Sequence, residues 1–185
     1  LAGVVLNLIA GAGVIVIQYL TDYTRALQIL RWMIGSLDVV GYGLIWRMLF
    51  FLVPGLLLLL AMTRDLHLLA VDEETAASLG VDVRRVERMV YVASSLVVGV
   101  TVAIAGPIGF VGLVVPHAVR RLFGEDVRLV LPMSLLLGAA FLVAADTVAR
   151  TALGASELPV GAVTGIFGGP MFLLLLSKNK RYSAL

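Results

Sequence analysis

The sequence predicts an all-α fold, a polytopic transmembrane bundle of about six membrane helices with one hydrophilic loop. Three observations predict it. Of the 185 residues, 61% are hydrophobic and only 14% charged, against about a quarter charged in a soluble domain, and the mean hydropathy is +1.05. Several uncharged runs reach the roughly 20 residues a helix needs to cross hydrocarbon. Short charged connections separate these runs, and in a bilayer, where every backbone polar group needs an internal partner, such runs must be helical.

The first span covers Leu1 to Leu20. Its stretch "LAGVVLNLIAGAGVIVIQYL" is a helix already in full stride, with no charged leader and no cap, so the chain reads as the C-terminal part of a longer protein. Residues 1–185 form a single membrane domain. The second span runs from about Leu44 to Thr63, crossing Pro54 and carrying Arg47 near one end. From Met89 to Val119 no residue carries a formal charge; that run is too long for one upright helix and too short for two. Within it, "AGPIG" supplies a break, because proline removes a backbone donor and glycine weakens a helix interior. A third helix therefore ends near Ala105, and a short fourth runs from Pro107 to about Val119. Leu129 to Arg150 and Leu158 to Ser177 complete the set.

Basic residues orient the bundle. Arg64, Arg84, Arg85 and Arg88, then Arg120, Arg121 and Arg128, then Lys178, Lys180 and Arg181 fall on alternate connections and the tail. The opposite side holds only Arg25, Arg31, Arg47 and Arg150. The tail and the loop at residues 64–88 are thus expected to face the cytoplasm. In that loop "DEETAASLG" opens on acids and closes on glycine, the polarity of a short helix whose first turn favours negative charge and whose end takes a left-handed residue. A second short piece, "VDVRRVER", should follow. Two such helices beneath a membrane domain form a docking surface for a cytosolic partner.

Other functions find little support. The net charge of +2 is small and scattered, which argues against nucleic acid. With no cysteine and only His67 and His117, disulfides, thiolate chemistry and a multi-histidine metal site are not expected, nor is a resident cofactor. No nucleophile with its base and no phosphate-cradling glycine loop stands out, so the chain is not expected to be an enzyme. Asp146 and Arg150 lie four residues apart and can pair on one helix face. An ionisable residue in a membrane helix is a functional candidate by default. Gly161, Gly165 and Gly169 line one face of the last helix, a small-residue stripe that permits close helix approach. Ala10, Gly11, Ala12 and Gly13 do the same in the first, which also carries Asn7.

The runs "LLAVDEETAASLGV" and "AGPIGFVGLVVPHAVRRLFGEDVRLVLPMSLLLGAAFLVAADTVARTALGASELPVGAVTGIFGGPMF", with "RWMIGSL" and "LAGVVLN" before them, strongly resemble the FecCD-like permeases of ABC importers for iron-siderophore, haem and cobalamin. The resemblance covers essentially the whole chain, in order and spacing, and aligns it with helices five to ten of a ten-helix permease. It implies a multi-pass protein of a bacterial or archaeal cell membrane, a second permease copy as homodimer or pseudo-dimer, a cytosolic ATP-binding subunit, and a periplasmic or lipid-anchored substrate-binding protein.

Residue by residue, the resemblance puts the ATPase-coupling loop at Asp72 to Arg85. Glu73, Glu74, Ala76, Leu79 and Gly80 match its core pattern, and Arg84 and Arg85 close it. Asp72 stands where a glycine is usual, and Ala77 where a basic residue is common. The resemblance also implies that Arg150, with Arg25 or Arg31, receives the binding protein, and that Asn7, Gly161, Gly165 and Gly169 lie beside the pathway and dimer seam. A ferric siderophore is the foremost cargo, with haem or cobalamin as alternatives. A gradient-driven secondary carrier with a similar bundle is the rival reading; it needs a membrane carboxylate for coupling, and Asp146 has Arg150 to neutralise it. An intramembrane hydrolase would need an H-E-x-x-H helix or paired catalytic aspartates, and neither is present.

Overall fold

A computed structural model of the chain describes residues 2–38, 41–152 and 158–179, with side chains followed to residue 173. These residues form nine helices: α1 (Ala2–Tyr19), α2 (Tyr23–Ile34), α3 (Tyr42–Ala61), α4 (Thr63–Val71), α5 (Glu73–Ser78), α6 (Val83–Ala105), α7 (Val111–Phe123), α8 (Val127–Thr151) and α9 (Val160–Asn179). Of these, α1, α3, α6 and α8 are long and apolar enough to cross a membrane. The 13 residues of α7 rise only about 20 Å, less than the hydrocarbon thickness, as expected of the short helix after "AGPIG". Leu1, Lys180 and Arg181 lie outside the described residues, as does the side chain of Lys178.

Burial is inverted relative to a soluble protein. At most 6% of each spanning segment is buried, and α1 has no buried residue. Leucine, isoleucine and phenylalanine side chains cover the outside, which suits a molecule whose surroundings are apolar. Apart from Met62, the buried core among the described residues is made of small and β-branched residues. Helices α3 and α6 meet where a Cβ on Gly55 would come within 2.7 Å of Val97 Cγ2, with Ala93 buried beside them. Val115 and Val119 of α7 pack on Val130 of α8. Ala145 and Ala149 of α8 pack on Val160 and Val163 of α9.

Three sequence expectations change. Tyr23–Ile34, expected to be a connection, is the amphipathic helix α2, whose carboxyl end closes on Gly35. The piece "VDVRRVER" is not a separate helix. Asp82 accepts the backbone N–H of Arg85 at 3.1 Å, and no breaker follows, so these residues are the first turns of α6. The second short helix lies instead before α5, as α4. Finally, α7 begins at Val111 rather than Pro107, because Gly106 (φ 71°) and Phe110 (φ 67°) are both left-handed and hold Pro107 to Gly109 out of the helix.

Contacts sort the connections onto two ends. At one, here the turn end, Ser36 N–H donates to the Ala105 carbonyl at 2.8 Å and Gly161 N–H to the Gly35 carbonyl at 3.1 Å. At the other, the loop end, α4 packs on α8, and His67 Nδ1 lies 3.5 Å from Asp126 Oδ1. For the described connections, those that the charge pattern places on one side are the ones that touch; the basic side chains of the tail lie outside the described residues.

Candidate docking surfaces at the two ends of the bundle

At the loop end, local chemistry caps α5 at both ends, and α4 packs against it. Asp72, extended at φ −168°, is its N-cap. Its Oδ2 accepts both the backbone N–H and the hydroxyl of Thr75, each at 2.9 Å. Those bonds, the backbone one foremost, hold its carboxyl below the usual aspartate range. Glu73 and Glu74 follow in the first turn, where the helix dipole favours them. The other end is a Schellman closure: Val81 N–H donates to Ala76 C=O at 3.1 Å and Gly80 N–H to Ala77 C=O at 3.0 Å, with Gly80 left-handed at φ 86°. The departure from the family pattern at Asp72 thus has a physical role as the cap.

The loop residues divide by exposure. Ala76 is fully buried, at 0%, while Leu79 is 62% exposed at the loop tip. Leu79, Gly80 and Arg85 line a cleft of about 460 Å³ together with Met62, Arg64 and Asp65. A second cleft of about 480 Å³ opens between α4 and α6, with Glu73, Glu87 and Tyr91 among its walls. Arg84 projects as an exposed residue from the first turn of α6. The eight residues expected in the coupling loop thus fall on two adjoining pieces: Asp72, Glu73, Glu74, Ala76, Leu79 and Gly80 on α5 and its capping residues, and Arg84 and Arg85 on the first turn of α6.

At the turn end, three backbone segments meet at glycines. A Cβ on Gly106 would collide with the Trp32 carbonyl oxygen, and one on Gly161 with that of Ile34. Gly35, left-handed at φ 87°, sits where a Cβ would fall 2.8 Å from the Pro107 carbonyl oxygen. The indole N–H of Trp32 reaches Ala103 C=O at 3.2 Å. The carboxyl end of α2 thus rests on the "AGPIG" turn and on the start of α9. That is why the neutral run breaks where it does: Gly106 makes room for another backbone. Gly109 has open space around it.

Among the described residues, two carboxylates share Arg150. Its Nε donates to Asp146 Oδ2 at 2.8 Å, one turn back on α8, and its Nη2 to Asp38 Oδ1 at 3.0 Å, in the linker between α2 and α3. The Ser36 hydroxyl donates to Asp38 Oδ2 at 2.9 Å. The pairing with Asp146 follows from the spacing; Asp38, 112 positions from Arg150, carries no local signal. Arg25 and Arg31 are exposed on α2. In the last helix, a Cβ on Gly169 would stand 3.7 Å from the Phe110 ring, whereas one on Gly165 would meet nothing within 4 Å. Gly168, outside the stripe, is the residue where a Cβ would strike Phe110. Asn7 is exposed on α1. Among the described residues no cluster of three or more histidines and carboxylates is placed to hold a metal ion.

Comparison with known proteins gives a consistent picture. The model of the FecCD transport family matches residues 1–178. The chain is similar to an uncharacterized ABC transporter permease protein, YvrB, of Bacillus subtilis, with 41% identity covering 98% of this chain and 51% of that protein. The hemin transport system permease protein HmuU of Yersinia pestis is 39% identical, over 97% of this chain and 54% of its own length. The vitamin B12 import system permease protein BtuC of Vibrio cholerae is 42% identical over the same shares, 97% and 54%. A solved structure of an ABC transporter assigned provisionally to the metal-chelate type, in an inward-facing conformation, superposes with a TM-score of 0.85 at 33% identity, covering 95% of this chain and 57% of that one. The chain spans about half the length of the curated relatives it matches.

Proposed function

This chain belongs to the FecCD transport family, and from that premise we propose that it is permease substance of an ATP-driven importer that carries an intact metal chelate across the cell membrane. The family match over residues 1–178 is the observation that carries the proposal. Relatives named for hemin and vitamin B12 support a cargo of one chemical class: a metal wrapped in a large organic ligand. Within that class a ferric siderophore is the cargo proposed here. The spanning helices α1, α3, α6 and α8 offer it apolar walls, and a chelate that hides its metal charge needs no carboxylate along its path. Asp146, the carboxylate within α8, is paired with Arg150 at 2.8 Å, which speaks against ion-gradient coupling through it.

In this reading α5 is the lever. A cytosolic ATP-binding subunit engages the tip at Leu79 and Gly80 and the acids Glu73 and Glu74, while Asp72 caps α5 and Arg84 and Arg85 stand in the first turn of α6. ATP-driven closure of the two ATPases moves the loops, and two permease copies rock between inward and outward openings. A periplasmic or lipid-anchored substrate-binding protein docks at the turn end on Arg150, flanked by Arg25 and Arg31. Asn7 and the faces of α1 and α9 bearing Gly161, Gly165 and Gly169 lie toward the pathway and the second copy.

The test is purification of the tagged, complete permease in mild detergent, with and without substitutions at Glu73, Glu74 and Gly80. An ATP-binding subunit should co-purify with the native loop and be lost with the altered one. Failure of the native protein to retain any ATPase would overturn the proposal. Uptake of iron-labelled siderophore, challenged with unlabelled haem or cobalamin, then identifies the cargo.

A further inference from the structure

Among the described residues, the turn-end cluster joins Arg150 to two carboxylates, Asp146 and Asp38. Asp146 and Arg150 belong to the same helix, and Asp146 is only 25% exposed. Asp38 differs in each respect: it comes from the linker between α2 and α3, it is 57% exposed, and it meets Arg150 through Nη2. An ion pair that open to solvent contributes little and exchanges readily. Arginine, with its planar fork of donors, is suited to carboxylate recognition, but here an internal carboxylate already holds one arm.

We propose that Asp38 is an internal stand-in for an acidic side chain of the substrate-binding protein, and that docking exchanges Asp38 for that side chain on Arg150. This inference rests on the docking reading of Arg150 given above. Exchange has a structural consequence, because Asp38 lies three residues from Gly35 and two from Ser36. Those two residues bond to Gly161 and Ala105 respectively. Releasing Asp38 loosens the linker beside the point where α2, the "AGPIG" turn and α9 meet. Arrival of a loaded binding protein is thereby communicated to the outer ends of three helices. Exposed Arg25 and Arg31 on α2 supply the positive field that draws the acid in.

The experiment measures binding of the fluorescently labelled cognate substrate-binding protein to the complete transporter in lipid nanodiscs. Asp38→Asn keeps an acceptor for the Ser36 hydroxyl and removes the competing charge. It should tighten the dissociation constant about two- to fivefold, the range of a solvent-exposed pair. Arg150→Gln should weaken it tenfold or more, and in the double variant the gain from Asp38→Asn should vanish, since the competition needs Arg150. Asp38→Asn that leaves binding unchanged or weakens it, with Arg150→Gln still harmful, overturns the exchange but keeps the docking reading. Binding indifferent to Arg150→Gln overturns both. Should Asp38→Asn fail to assemble, Asp38→Ser asks the same question with a shorter neutral side chain.

Discussion

Single residues decide how tightly the turn end can close. A methyl group on Gly161 meets a fixed backbone oxygen, that of Ile34, which cannot swing aside as a side-chain tip can. Gly161→Ala should therefore cost about 1–3 kcal/mol, the usual range for overpacking, visible as a lower melting temperature in detergent. Gly165→Ala has only open space to fill and should change stability by less than about 0.5 kcal/mol. If Gly165→Leu leaves the melting temperature unchanged yet abolishes uptake, Gly165 faces a partner outside this chain; normal uptake would remove it from any seam. The sequence shows these glycines only as an evenly spaced stripe, because spacing carries no information about what stands opposite each one. Asp38 was illegible for the same reason: its partner is a tertiary neighbour, while the Asp146–Arg150 pair is written into a four-residue interval. Asp72 makes a different kind of prediction. Its carboxyl is held below its ordinary range by bonds present only in the folded loop, so the stabilisation is complete above the unfolded value and disappears as pH falls through the folded one. Hydrogen exchange at the Thr75 amide should accelerate, relative to an unstructured peptide, only on acidification below the usual aspartate range. In Asp72→Asn that pH step should be missing.

Among the elements, those fixed by hydrophobicity and length were the legible ones. The four long apolar helices and the short α7 needed only charge-free runs and a breaker, because the bilayer leaves the backbone no alternative to helix. Helix α2 was missed because twelve residues containing Arg25 and Arg31 fall below span length and look like a polar connection. Its signal was there in Ala26, Leu27 and Leu30 followed by Gly35, a helical period with a glycine stop. The loop was half legible. Its acid-first, glycine-last polarity gave α5, but where α6 begins depends on Asp82 capping a helix that then runs on unbroken. The buried and exposed faces of α5 should behave differently under substitution. Ala76→Leu puts bulk where no surface is open and should destabilise the loop itself, read as faster proteolysis between residues 64 and 88. Leu79→Asp alters an exposed tip and should leave proteolysis unchanged while lowering the yield of co-purified ATPase severalfold. Equal ATPase recovery from Leu79→Asp and the native protein would remove the tip from the coupling surface.

At the scale of the whole molecule, the helices fall into two packed groups, α3 with α6 and α7 with α8 and α9. Between them, in the apolar layer, lies a cleft of about 280 Å³ with Leu56 and Leu60 on α3, Val115 on α7, and Leu131 and Ser134 on α8. The groups are tied at both ends instead: α4 packs on α8 with His67 near Asp126 at the loop end, and the α2 linker joins Ala105 to Gly161 at the turn end. Such an arrangement lets force applied at α5 reach α8 through α4, and movement of α8 reach the linker through Arg150 and Asp38. A filled, interdigitated interface would resist this; an open cleft bounded by ties can change width with little loss of contact. The buried Ser134 hydroxyl, with no partner among the described residues, marks the same wall as incompletely packed. If the two groups move against each other during transport, a disulfide joining Leu60→Cys to Leu131→Cys across this cleft should stop uptake while ATPase subunits remain bound, and reduction should restore it. Full uptake with the cross-link formed would mean that the groups travel as one body and that the working motion lies between permease copies alone.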